Sequence, residues 1–183
     1  SAENMLIQLL NRAKYLVRNS HDIYTSVDLR FFLEQDLSTN DFRTNPELLT
    51  NFSRLDDYEI YACLKYWTLN KDYVLSNLSR KILERKILKI KIQKDKFKKE
   101  DIQKRVLVMM KDKNISKDQA NYFIFTNKVS NSLYSTDNSN IKILFKNGEI
   151  RDLSESSDQF NLKALSKTIN KYFLCSPKEY IVN

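Results

Sequence analysis

Ile87-Leu88-Lys89-Ile90-Lys91-Ile92 is the stretch at which the pattern of this chain changes. Leu88, Ile90 and Ile92 alternate with Lys89 and Lys91. Successive side chains of a strand point to opposite faces, so the alternation predicts a strand with one basic face. Upstream, apolar residues recur at helical spacing; downstream, strand and helix patterns mix. The segment therefore divides the 183 residues into a helical region, 1–84, and an α+β domain, 85–183. The boundary is soft, because Arg80–Lys86 ends a helix and leads straight into the strand.

Working back from it, Asp72 is a cap for a helix that buries Val74, Leu75, Leu78 and Ile82. Asp56 and Glu59 have capping-box spacing, and Ile60, Tyr61, Leu64 and Trp67 behind them form one apolar stripe. Asn45-Pro46 opens another helix, with proline at a first position where its missing N–H costs little. Leu29, Phe32 and Leu33 predict a short helix. Met5, Leu6, Leu9, Leu10, Ala13, Leu16 and Val17 predict a long first one, broken at Asn19-Ser20.

Working forward, Phe97–Lys111 predicts a helix with Ile102, Val106 and Met109 or Met110 facing inward. Tyr122-Phe123-Ile124-Phe125 begins a second strand, running as far as Ser130. Ile141–Phe145 is a third, and Asn147-Gly148 is a turn that lets Glu149–Leu153 pair back on it. Phe160–Ile169 predicts a helix and Tyr172–Cys175 a last strand, stopped by Pro177. The order strand, helix, strand, strand, helix, strand is the ferredoxin-like βαββαβ arrangement, so the expected class is α+β with an antiparallel sheet. Ser132–Asn140 is polar and reads as a loop.

Composition excludes several kinds of chemistry. With one glycine, Gly148, the chain cannot build a Gly-rich phosphate loop. With one histidine, His21, it has too few for a multi-histidine metal site, and a Ser/His/Asp triad would have to rest on that single residue, which tells against it. His21-Asp22 resembles a metal-binding pair, but the further ligands such a site requires are missing, and a loop histidine is the reading kept. Asp56, Asp57 and Glu59 sit where a helix N-terminus favours negative charge, which explains them without a metal or an acid–base role. Cys63 and Cys175 stand among apolar neighbours and read as core residues. No signal peptide and no long apolar run are visible, so the expected location is the cytoplasm, with no membrane partner. Ser1-Ala2 stands where an initiator Met would, and helical patterning begins at once, which reads as a cut inside a longer protein.

Charge is concentrated. Arg80–Lys113 carries 14 Lys+Arg against 5 Asp+Glu, a net of +9, while the rest of the chain sums to −1. Asp22–Glu59 holds nine acids against three arginines. A charge run is ordinarily a solvated face. Here Arg85 stands at the helix-to-strand corner and Lys89 and Lys91 share a strand face, so three cations are available to a phosphate. A nucleotide or a nucleic-acid backbone is the natural anion.

Leu55-Asp56-Asp57-Tyr58-Glu59-Ile60-Tyr61-Ala62-Cys63-Leu64-Lys65-Tyr66-Trp67, with Val74-Leu75-Ser76 and Glu84-Arg85-Lys86-Ile87-Leu88-Lys89, resembles the C-terminal region of bacterial HD-superfamily phosphohydrolases related to dNTP triphosphohydrolases. Ala2–Ile7 resembles the helix that follows the catalytic core there; Tyr122–Thr126, Ser157-Asp158-Gln159 and Lys171–Cys175 extend the resemblance along nearly the whole chain. It implies a parent enzyme that holds a divalent metal upstream and hydrolyses phosphate esters, with the catalytic HD core absent here. None of the family's metal ligands maps onto this sequence. In a vertebrate member an Arg and a Lys four residues later bind the phosphates of regulatory nucleotides, and Arg85 and Lys89 match that spacing.

The leading expectation is therefore a non-catalytic assembly and regulatory region. It holds no cofactor of its own, partners itself or the missing core, and takes a nucleotide effector at Arg85, Lys89 and Lys91. Its first helix, with a broad apolar stripe, is the expected seat of that core. Two readings stand beside it: a basic nucleic-acid-binding module, and a purely structural interaction domain.

Overall fold

The computed structural model describes residues 2–131, 142–152 and 169–180. Eight α-helices and five strands are found among them: α1 (Ala2–Arg18), α2 (Val27–Glu34), α3 (Thr39–Thr44), α4 (Pro46–Arg54), α5 (Asp57–Trp67), α6 (Tyr73–Leu83), β1 (Lys89–Gln93), α7 (Lys99–Lys113), α8 (Lys117–Asn121), β2 (Phe125–Asn131), β3 (Lys142–Leu144), β4 (Ile150–Asp152) and β5 (Ile169–Ser176). The class is α+β, with most helices in the first half.

The chain divides into two compact units. The first comprises Ser1–Lys91, Lys98–Phe125 and Leu174–Asn183; the second comprises Ile92–Phe97 and Thr126–Phe173. The helical unit thus runs past residue 84 and takes in α7, α8 and the C-terminal segment.

In the helical unit the helices start where side chains can satisfy orphan N–H groups. Ser26, Ser38, Asn45, Asp56, Asp72 and Ser116 each accept a backbone N–H at a helix start. Asp56 takes the amide of Glu59 at 2.9 Å. The stripe on α5 buries Leu64 and Trp67 as expected, but Cys63 joins them and Tyr61 is half exposed. Met5, Leu9 and Ala13 of α1 meet Val74, Leu75 and Leu78 of α6 at full burial, the centre of this core. On α7 it is Met109, with Val106, that turns inward. Two short helices were not legible in the apolar pattern, α3 and α8; each is six residues or fewer and is held by a reciprocal Ser–Asp or Ser–Gln capping box rather than by an apolar stripe. Because α8 occupies Lys117–Asn121 and its cap falls on Tyr122, the second strand begins at Phe125, not Tyr122, and Phe123 and Ile124 are core residues.

The strands depart from the ferredoxin-like order. Among the described strands, one sheet runs β1-β5-β2, so the last strand lies between the first two, and β3 pairs only with β4. The separate hairpin follows from its turn: Gly148 takes φ +83°, a conformation only glycine adopts without strain, and the pairing is antiparallel with Leu144 opposite Ile150. The helix expected at Phe160–Ile169 lies outside the described residues except for Ile169, which opens β5. Among the described residues no helix is long and apolar enough to cross a membrane.

Candidate functional site

The corner between α6 and β1 is built by the backbone. After Leu83 the helix closes with the Lys86 amide on the Lys81 carbonyl at 2.8 Å and the Arg85 amide on that of Ile82 at 3.1 Å. That double closure is a Schellman motif, whose turning residue must be left-handed. Arg85 is that residue, with φ +56°. Three residues on, Leu88 is 2% exposed and its amide meets the sulfur of Met5 on α1 at 3.2 Å, which anchors the start of the strand.

Arg85, Lys89 and Lys91 are all exposed, and among the described residues none is held by an ion pair or a side-chain hydrogen bond. Lys89 and Lys91 share one strand face, and Arg85 stands at the turn before it. Lys86 is spent on Glu84 at 2.8 Å, and Arg80 donates to the Thr68 carbonyl at 3.2 Å. The Glu84 carboxyl is held below its ordinary range, first by the Lys86 hydrogen bond, with the charges of Lys86, Arg80 and Lys81 adding to it. The local potential is therefore positive, and free cations stand in it.

Left-handed backbone costs a side-chain-bearing residue about 1 kcal/mol relative to glycine. Arg85→Gly is accordingly expected to raise the unfolding free energy by about 0.5–1 kcal/mol while removing one of the three cations. Urea titration followed by circular dichroism reads the first effect. A loss of stability on this substitution would mean that the arginine side chain holds the corner together.

The strand's other face differs from its pattern. Leu88 is buried, but Ile90 and Ile92 are exposed, so beyond Leu88 the apolar side of the alternation does not mark a buried face. His21 and Asp22 are exposed on the rim of a cleft of about 630 Å³ that also takes in Arg12, Tyr15, Lys71 and Asp72. Among the described residues no group of three His, Cys, Asp or Glu stands close enough to hold a metal. Cys63 and Cys175 are buried thiols, and burial pushes both above the ordinary range.

Two polar clusters lay beyond sequence reasoning. Asp72 takes Arg12 in a two-point ion pair, Nη2 at 2.5 Å and Nε at 3.1 Å, while the guanidinium lies over Tyr15 at 4.9 Å and Tyr122 at 5.5 Å. Arg105, buried on α7, donates to the Tyr180 carbonyl at 2.6 Å, and the Tyr180 hydroxyl donates to Asp112, which Lys113 also pairs at 3.0 Å. Burial, then that carboxylate, pushes the Tyr180 phenol far above its ordinary range. These partners stand 60 to 75 residues apart, and no local signal announces them.

No protein-family model matches the chain, and no curated protein sequence does. Fold and sequence together nevertheless relate it to phosphohydrolases. One solved structure that carries this relation is a phosphohydrolase from Bacteroides thetaiotaomicron, 35% identical, with a TM-score of 0.78 over 96% of this chain. The chain spans 44% of that protein's length.

Proposed function

We propose that this chain is the non-catalytic C-terminal assembly and regulatory region of a bacterial, cytoplasmic HD-type phosphohydrolase. The parent hydrolyses (deoxy)nucleotides with a divalent metal that residues outside this chain would hold, and this region takes a nucleotide effector through Arg85, Lys89 and Lys91. The observation that carries the reading is the alignment: nearly all of this chain corresponds to less than half of a phosphohydrolase. A chain with one histidine and one glycine, in which no catalytic set is legible, suits a region beside the chemistry rather than the seat of it. The corner supplies what a polyphosphate requires: a guanidinium able to bind two oxygens and two ammonium groups on one strand face.

Calorimetric titration with GTP and the four dNTPs tests the site. Wild-type chain is expected to bind, and Arg85→Ala/Lys89→Ala to lose binding by tenfold or more, because each charge-assisted hydrogen bond contributes about 1.5–3 kcal/mol. No binding by the wild type would remove the nucleotide site. The net +9 of residues 80–113 favours a second reading, a nucleic-acid surface. It predicts affinity for mixed-sequence single or double strands that falls steeply as salt rises.

A further inference from the structure

The two oppositely charged stretches of the chain carry exposed apolar side chains, and those side chains complement one another. On one side stand α4 and the first turns of α5. Leu49, Phe52, Tyr58 and Tyr61 are each more than half exposed, Tyr58 at 85%. Spacing i, i+3 pairs Leu49 with Phe52 on α4 and Tyr58 with Tyr61 on α5. Glu47 and Asp57 are exposed beside them and make no ion pair among the described residues. Asp56 is there too, occupied as the α5 cap; Arg54 and Lys65 are the cations on these helices. The stretch 22–59 that includes α4 and the start of α5 has nine acids against three arginines.

On the other side stands β1. A strand in a sheet ordinarily buries at least one face. From Lys89 to Ile92 this one is exposed at every position, with Ile92 at 61%, and it lies at the edge of the order β1-β5-β2. An edge strand bearing alternate lysines discourages random strand pairing, yet its isoleucines remain open to a partner that brings acids and apolar surface together. The α4–α5 face offers that combination, and each further copy of the chain carries it.

We propose that copies of this chain associate by seating the acidic, aromatic α4–α5 face of one on the Lys/Ile strand β1 of another. The proposal rests on the assembly role assigned above and names the surfaces that perform it. Isoleucines and tyrosines supply the contact area. Lys89 and Lys91 against Glu47 and Asp57 supply orientation and steering, so association weakens as salt screens them.

Sedimentation velocity over a range of concentrations and salt tests it, with two variants at exposed positions that leave the fold intact by circular dichroism melting. Asp57→Lys/Tyr58→Ala breaks the acidic face, and Ile92→Glu breaks the strand. The wild type is expected to associate with rising concentration and to dissociate as salt rises. Each variant alone is expected to sediment as a monomer. An equimolar mixture of the two regains a heterodimer, since each still brings the surface the other lacks. A monomeric wild type, variants that associate like wild type, or a mixture that stays monomeric would each overturn the proposal. Arg85→Ala separates it from the nucleotide reading. Association without nucleotide binding sinks only the effector site, and nucleotide binding by a strictly monomeric wild type sinks only this interface.

Discussion

Asp72→Ala is expected to lower the unfolding free energy by about 2–4 kcal/mol, from the loss of a helix cap together with one partner of a part-buried ion pair. The aspartate performs three tasks at once. Its Oδ1 caps α6 by accepting the Leu75 amide at 2.8 Å, its carboxylate holds Arg12 at two points, and its own amide is held by Asn70 Oδ1 at 2.8 Å. The Arg12 and Asp72 side chains are 11% and 13% exposed, so water cannot replace the lost partner fully. Burial works against the arginine's charge, but the Asp72 hydrogen bond and charge, with help from Tyr122, outweigh it and raise its pKa. Without Asp72 the guanidinium is left between two tyrosine rings with no counter-charge. Asp72→Asn keeps a cap oxygen and is expected to cost less than alanine. Arg12→Met/Asp72→Ser, which removes both charges and keeps a capping hydroxyl, is expected to recover part of the loss. Urea midpoints of the four chains decide it. A cost below about 1 kcal/mol for Asp72→Ala would place the pair with ordinary surface salt bridges.

Trp67→Ala carries an effect of similar size. Trp67 is 1% exposed at the end of α5, and its indole N–H donates to the Tyr24 carbonyl at 2.7 Å across the loop before α2. Truncation removes the largest buried side chain of the described residues and leaves that carbonyl unpaired. A loss of about 3–5 kcal/mol follows from the cavity and the lost transfer energy. Trp67→Phe keeps most of the apolar volume and isolates the hydrogen bond, at an expected cost of about 1–3 kcal/mol. Because this is the single tryptophan of the chain, unfolding of the variants is followed by far-ultraviolet circular dichroism rather than by fluorescence. Equal losses for the two substitutions would mean that the hydrogen bond, not the packing, holds the site.

Much of this architecture is legible in local chemistry. Asp56 and Asp72 announce their helices because a carboxylate two or three residues ahead of an apolar run satisfies amides that the helix itself cannot. Asn147-Gly148 announces the hairpin because its φ is available to glycine at no cost. The corner at Arg85 was legible as a junction, since a helical period stops and an alternating one begins. That Arg85 would be the left-handed residue was not, because glycine is the usual choice there and arginine carries no sign of the strain it accepts. The short helices α3 and α8 were missed because neither is long enough to show an apolar period.

The sequence by itself determined the α+β class, the helix starts, the junction near residue 85, the single basic run and the lack of residues for a Gly-rich phosphate loop or a multi-histidine metal site. Those follow from the types of neighbouring residues, and a neighbour's influence is local. The tertiary structure alone decided that β5 lies between β1 and β2, that both faces of β1 stand open, and that Arg12 finds Asp72 and Arg105 finds Tyr180. Each of these joins residues far apart in the chain. Such pairings are chosen by which surfaces can be buried together, a quantity that belongs to the packed molecule and to no segment of it.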